Sequence, residues 1–126
     1  MNHCLSLTYK ESIKNNQKQI FSIRDSKNVP HVTILLDNST NNITEVKGNS
    51  NTIVKIEYQK YLVNLFNNLS FQSIDHNEFK SLSNINFNEK IGQFEFVNNI
   101  INKNYNFNLN IKNMSVTQKI FYRHIS

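Results

Sequence analysis

Near its start the chain reads MNHCLSLTYK, and this stretch holds its one cysteine, Cys4, directly after His3. A thiol attacks as its thiolate, which a helix N-terminus or a nearby positive charge favours over the ordinary pKa of about 8.5. Adjacent residues on a helix point about 100° apart, so His3 is poorly aimed as the base for Cys4. His31, at the start of an apolar run, is the candidate that acts across space. The ordinary fate of a free cysteine is different: it packs as a small apolar side chain inside the fold. A single cysteine excludes a multi-cysteine zinc site, and no HExxH, CxxC, GxSxG or glycine-rich phosphate loop occurs. No metal or cofactor is expected.

A second constellation suits an anion. Arg24 is out of phase with Phe21 and Ile23 in a strand-like run, which turns it toward a polar surface. Its guanidinium offers planar donors to phosphate or carboxylate, and an ion pair with Asp25, Asp37 or Glu45 is the plainer use. The stretch KGNSN at 47–51 sets Lys47 and the amides of Gly48 and Asn49 ahead of a predicted helix, where backbone N–H groups attract negative charge. The same residues also make an ordinary strand-to-helix turn. Asp75-His76 and His124 have no partner motif and read as surface residues.

These residues need elements to position them. Leu5, Tyr9 and Ile13 recur every four residues, which predicts a short helix over 4–16 with Asn15 and Asn16 as its stop. Runs at 20–25, 31–37 and 43–47 are rich in β-branched residues and separated by turn-forming clusters. In the second run Val32, Ile34 and Leu36 alternate with His31, Thr33 and Leu35. Short connections between such runs predict a three-stranded antiparallel meander. A helix over 52–69 follows, with Val54, Tyr58, Tyr61, Leu62, Leu65, Phe66 and Leu69 on one face. It is long enough to cover one face of the meander, which gives an α+β fold. Residues 70–87 are mixed. Ile91, Phe94, Val97, Ile100 and Ile101 are spaced for a second helix over 88–103. NYNFNLNIKN then alternates Asn with Tyr105, Phe107, Leu109 and Ile111, the pattern of a half-buried strand. Residues 117–126 read as a last short helix or a tail.

With 126 residues the chain is expected to form one domain, a core over 1–69 with an extension over 70–126 packed on it. Nine Phe and five Tyr are available to fill the core. Asparagine makes up about a fifth of the residues and alanine is absent, which follows AT-rich coding. The net charge of +5 suits nucleic acid or an anionic surface, although the lysines are scattered rather than clustered. One cysteine forms no internal disulfide, and no apolar run approaches the roughly 18 residues that span a bilayer. A cytoplasmic protein with no membrane partner is the expectation.

The blocks HCLSLTY, IFSIRD, PHVTILLD, ITEVKGNSN and EYQKYLVNLF, in that order over about residues 1–69, resemble the core of the PcfJ-like family. Members of that family are encoded on bacterial plasmids, phages and other mobile elements, and their biochemical activity is not established. The resemblance implies an α+β accessory protein of a mobile element, non-enzymatic, that binds nucleic acid or another protein of the element. Arg24, Lys47 and the amides of Gly48 and Asn49 are then the expected phosphate contacts. There are departures. Leu5, Ser6, Leu7 and Thr8 stand where the family carries Val and small residues. Leu35 replaces an acidic residue of a T-I-E pattern. Two further readings stay open: a cysteine-dependent enzyme using Cys4 with His3 or His31, and a host-directed factor of an AT-rich intracellular bacterium.

Overall fold

The computed structural model describes residues 8–14, 17–105 and 109 of the chain. The fold is α+β. Strands β1 (Thr8–Lys14), β2 (Lys18–Arg24), β3 (Pro30–Asp37) and β4 (Asn42–Gly48) run antiparallel in chain order, and a two-residue β5 (Ser73–Ile74) pairs parallel with β4. Helix α1 (Ile56–Asn68) stands between β4 and β5. Helix α2 (His76–Ser81) and the hairpin of β6 (Ile85–Asn88) and β7 (Gln93–Phe96) follow. Among the described residues, no helix is long and apolar enough to cross a membrane.

The meander predicted from the three β-branched runs is present as β2, β3 and β4. Phe21 pairs with Ile34, Ile23 with Val32, Ile34 with Val46 and Leu36 with Ile43, and all are buried. Ile43 and Val46 are three residues apart and would face opposite sides of a regular strand. A register shift between Leu35 and Leu36 leaves Thr44 as an extra residue of β4, so that both apolar side chains turn inward. The turns explain part of the asparagine content. Asn28 and Asn41 adopt positive φ, which Asn tolerates better than most residues. The carboxylates of Asp25 and Asp37 accept backbone N–H groups of Lys27, Val29 and Ser39 inside the same turns.

Helix α1 begins at Ile56 rather than 52, because a 3-10 turn (Asn49–Asn51) and an extended stretch precede it. Leu62, Leu65 and Phe66 join the buried side chains of β2, β3 and β4 in one core. Gln59 is buried on the same helix. Its amide donates to the Val54 carbonyl and accepts from the Asn84 N–H, which ties α1 to the start of the hairpin. Phe71, Phe79, Phe87 and Phe94 belong to this core as well, and Phe94 is its aromatic hub. The Phe94 ring centroid lies 5.0 Å from Phe87, 5.3 Å from Phe66, 5.9 Å from Phe79 and 6.0 Å from Phe71.

Two expected helices are corrected. Within the stretch 4–16, residues Thr8–Lys14 form a strand whose register runs from Thr8 opposite Arg24 to Lys14 opposite Gln19. Leu5, Leu7, Tyr9 and Ile13 all occupy odd positions, so the apolar pattern fits period two as well as period four. The unpaired backbone groups along β2 decide between the two periods. The stretch 88–103 is not helical either. It supplies the end of β6, a turn and β7, with Gly92 at φ 65° where the hairpin reverses. Phe87 pairs with Phe94 across it, and burying that pair outweighs a helical face through Ile91 and Ile101, which are exposed. The strand expected over 105–111 lies largely outside the described residues, as do 117–126. Tyr105 has no regular structure, and Leu109 packs against the core.

Candidate functional site

The outward face of the meander carries the residues that alternate with the core. On β3 these are His31, Thr33 and Leu35, and on β4 Glu45 and Lys47, with Thr33 opposite Lys47 and Leu35 opposite Glu45. Together with Pro30, Gly48 and the turn Asn49–Asn51 they line a groove of about 250 Å³. Four of the residues singled out from the sequence, His31, Lys47, Gly48 and Asn49, therefore meet in one place. Cys4 and His3 lie outside the described residues.

His31 owes its position to a second bulge. Ile23 pairs with Val32 but Arg24 pairs with Pro30, so His31 is the extra residue at the start of β3. Its Nε2 lies 2.9 Å from Asp25 Oδ2, and its ring stacks on Tyr58 of α1 at 4.8 Å between centroids. The hydrogen bond from His31, followed by the N–H of Val29, holds the Asp25 carboxyl below its ordinary pKa. Burial raises the Tyr58 phenol, with the charges of Glu57 and Asp25 adding to the effect. Asp25 thus orients the imidazole through Nε2, and the Tyr58 ring fixes its plane.

The expected cations are used differently. Among the described residues, Arg24 reaches no carboxylate. Its Nε donates to Ser22 Oγ at 2.8 Å and its Nη1 to the Asn28 carbonyl at 3.0 Å, which braces the β2–β3 turn. Lys47 Nζ lies 2.9 Å from Glu78 Oε2. The other oxygen of Glu78 accepts the Val46 N–H at 2.8 Å, so one carboxylate of α2 holds both the side chain of Lys47 and the outer edge of β4. The Gly48 N–H is also spent inside the fold, donating to the Thr52 carbonyl at 2.6 Å. Gly48 sits at φ −80°, so no positive φ calls for glycine there. It is needed for space: a Cβ would stand 2.9 Å from the Ile53 carbonyl oxygen. Ser50 and Asn51 both hold positive φ in the adjoining turn.

Sequence reasoning missed Asp25 as the partner of His31, and it missed Thr33, Leu35, Glu45, Ser50 and Asn51 as lining residues. The alternation of Thr33 and Leu35 with the core of β3 was the available signal. Large apolar side chains are exposed in the chain segments that flank the lining residues in sequence: Val29 at 44%, Ile53 at 66% and Ile56 at 56%. Among the described residues, no group of three or more His, Cys, Asp or Glu is placed to hold a metal. No family model matches the chain, and neither a curated protein nor a solved structure matches it.

Proposed function

We propose that the chain is a non-enzymatic, cytoplasmic accessory protein of a mobile element, PcfJ-like in kind, whose groove receives a segment of a protein partner. The observation that carries this reading is the groove itself, an open face with Thr33 and Glu45 exposed, while Val29, Ile53 and Ile56, exposed as well, stand in the chain segments that flank its lining residues. Polar groove residues next to exposed apolar side chains suit a protein surface better than a phosphate chain. The cations beside the groove favour the same choice, because Lys47 is paired with Glu78 and Arg24 is bonded within its own turn. Most of the positive excess lies elsewhere in the sequence: Lys103, Lys112, Lys119 and Arg123 follow Glu95, the last acidic residue.

The test is selection of a displayed random-peptide library on the protein, with a Thr33→Arg, Leu35→Asp variant as counter-target. Peptides that bind the native protein and bind the variant at least about tenfold more weakly are the expected result. The nucleic-acid reading predicts another outcome. A fluorescent 20-nucleotide single strand would bind with a steep salt dependence, and no peptide would discriminate the variant.

A second reading, a cysteine-dependent enzyme, is favoured by the Asp25–His31 hydrogen bond together with the register of β1. Thr8 pairs with Arg24, so the chain joins the sheet at the end that carries His31. In this reading Cys4 is the nucleophile, His31 its base and Asp25 the group that orients the base. Iodoacetamide alkylation of Cys4 tests it. A folded-state rate well above the denatured one, and lost in His31→Asn, supports the enzyme; equal rates in all three reject it.

A further inference from the structure

The charges that line the groove are unequally committed. Its titratable lining side chains are His31, Glu45 and Lys47. Two of them are engaged inside the fold: His31 Nε2 meets Asp25 Oδ2 at 2.9 Å, and Lys47 Nζ meets Glu78 Oε2 at 2.9 Å. Glu45 is exposed and has no hydrogen bond or ion pair among the described residues. Lys47 stands two residues along the same face of β4 and is the cation that Glu45 would ordinarily take. Glu78 draws that ammonium away toward α2 and leaves the Glu45 carboxylate open.

The neighbours of Glu45 define what can meet it. Leu35 lies directly opposite on β3 and is half-buried. Thr33, on the same face of β3 as Leu35, is exposed, and its hydroxyl has no partner among the described residues. An occupant of this spot therefore meets an apolar surface, an uncommitted carboxylate and a neutral hydroxyl together. A phosphate is repelled by the carboxylate. An ammonium is a point charge, which one carboxylate satisfies without geometric demand. An arginine matches all three features. Its methylene stem covers Leu35, and its planar fork has donors for both oxygens of Glu45 and for Thr33 Oγ1.

We propose, on the reading of the groove as a partner site, that it reads an arginine: the occupant is a segment of a protein partner that lays one arginine side chain along Leu35 and sets the guanidinium on Glu45. Glu45 is then a specificity determinant. Nothing among the described residues uses its carboxylate to hold the fold, so its substitution leaves the sheet intact.

The experiment uses the whole chain and peptides selected on it from a displayed random library. Peptides that bind the native protein and not the Thr33→Arg, Leu35→Asp variant are expected to share an arginine. Replacing that arginine by citrulline, its neutral isostere, should weaken binding to the native protein about fivefold and leave binding to Glu45→Gln unchanged, as for a largely solvent-facing ion pair. A Glu45→Arg protein should select peptides with Asp or Glu at that place instead. Groove-dependent peptides that share no arginine, or a citrulline effect that persists in Glu45→Gln, overturn the proposal and leave the partner site standing. Peptides that ignore the Thr33→Arg, Leu35→Asp variant remove the partner site and the arginine with it. A native chain that dimerises, and loses the dimer in both Glu45→Gln and Arg123→Gln, gives the groove to a second copy and overturns the separate partner.

Discussion

The side-chain amide of Asn67 exchanges two hydrogen bonds with the backbone of Phe94, donating to its carbonyl at 3.0 Å and accepting from its N–H at 2.7 Å. An Asn amide carries the same donor and acceptor as a peptide group. A residue of α1 thus stands where a third strand would lie beside β7, and it fixes the aromatic hub of the core. Asn84 acts similarly at the other end of β7, donating to the carbonyls of Val97 and Asn98.

Replacing Asn67 with Ala leaves both backbone groups of Phe94 without their partner. Urea unfolding should show a loss of about 2 kcal/mol, at the level of two part-buried hydrogen bonds. Asn67→Asp keeps the acceptor but sets a carboxylate against the Phe94 carbonyl, so at neutral pH it should be at least as destabilising as Ala.

Gly48→Ala tests whether glycine is present for space. The new Cβ meets the backbone oxygen of Ile53 at 2.9 Å and Thr52 Oγ1 at 3.1 Å, and the first of these is not a flexible group. The expected loss is about 1–3 kcal/mol, with a shift of the Asn49–Asn51 turn visible in amide chemical shifts. An Ala variant as stable as the native protein would show that the 49–52 segment yields freely.

Glu78 serves Val46 and Lys47 at once, so its two substitutions should separate. Glu78→Gln retains an oxygen for the Val46 N–H and should lose less than about 1 kcal/mol. Glu78→Ala abandons that N–H and should lose about 1–3 kcal/mol. The same pair bears on the groove: Ala frees the Lys47 ammonium, so any affinity for an oligonucleotide should rise in Glu78→Ala.

Asp25 makes the stability depend on acid. Its carboxyl is held below the ordinary value of 3.8, so the stabilisation is present above that value and is lost as pH falls through the lower folded-state value. Asp37 is lowered too, by its bonds to Ser39, and acts in the same window. Urea midpoints measured from pH 7 down to pH 2.5 should decline in that range, and Asp25→Asn should flatten the decline while leaving the Asp37 part.

The meander and α1 were legible because burial on one face leaves a clean record: period two through Val32, Ile34 and Leu36, and helical spacing through Leu62, Leu65 and Phe66. The hairpin was misread because Phe94 and Val97 also fit a helical face. Gly92, flanked by Phe87 on one side and Phe94 and Phe96 on the other, was the better signal. Strand β1 was ambiguous for a similar reason: what settles it is pairing with the backbone of β2, which begins just beyond it, and apolar spacing does not record pairing. At the groove, the residue types were visible but their partners were not. Nothing local joins Lys47 to Glu78 or Gly48 to the Ile53 carbonyl, and Arg24 takes neutral acceptors where Asp25 takes the histidine.

The outer edge of β4 is closed by unlike pieces: the Asp75 N–H on the Ile43 carbonyl, the Glu78 carboxylate on the Val46 N–H, and the Thr52 carbonyl on the Gly48 N–H. Beyond β4 only the two-residue β5 continues this sheet, and β1 forms its opposite edge. A sheet with one blocked end is a chain terminator. Two copies that met through β1 would each present a capped margin outward, so strand-to-strand association would stop at a pair and could not propagate into a fibre.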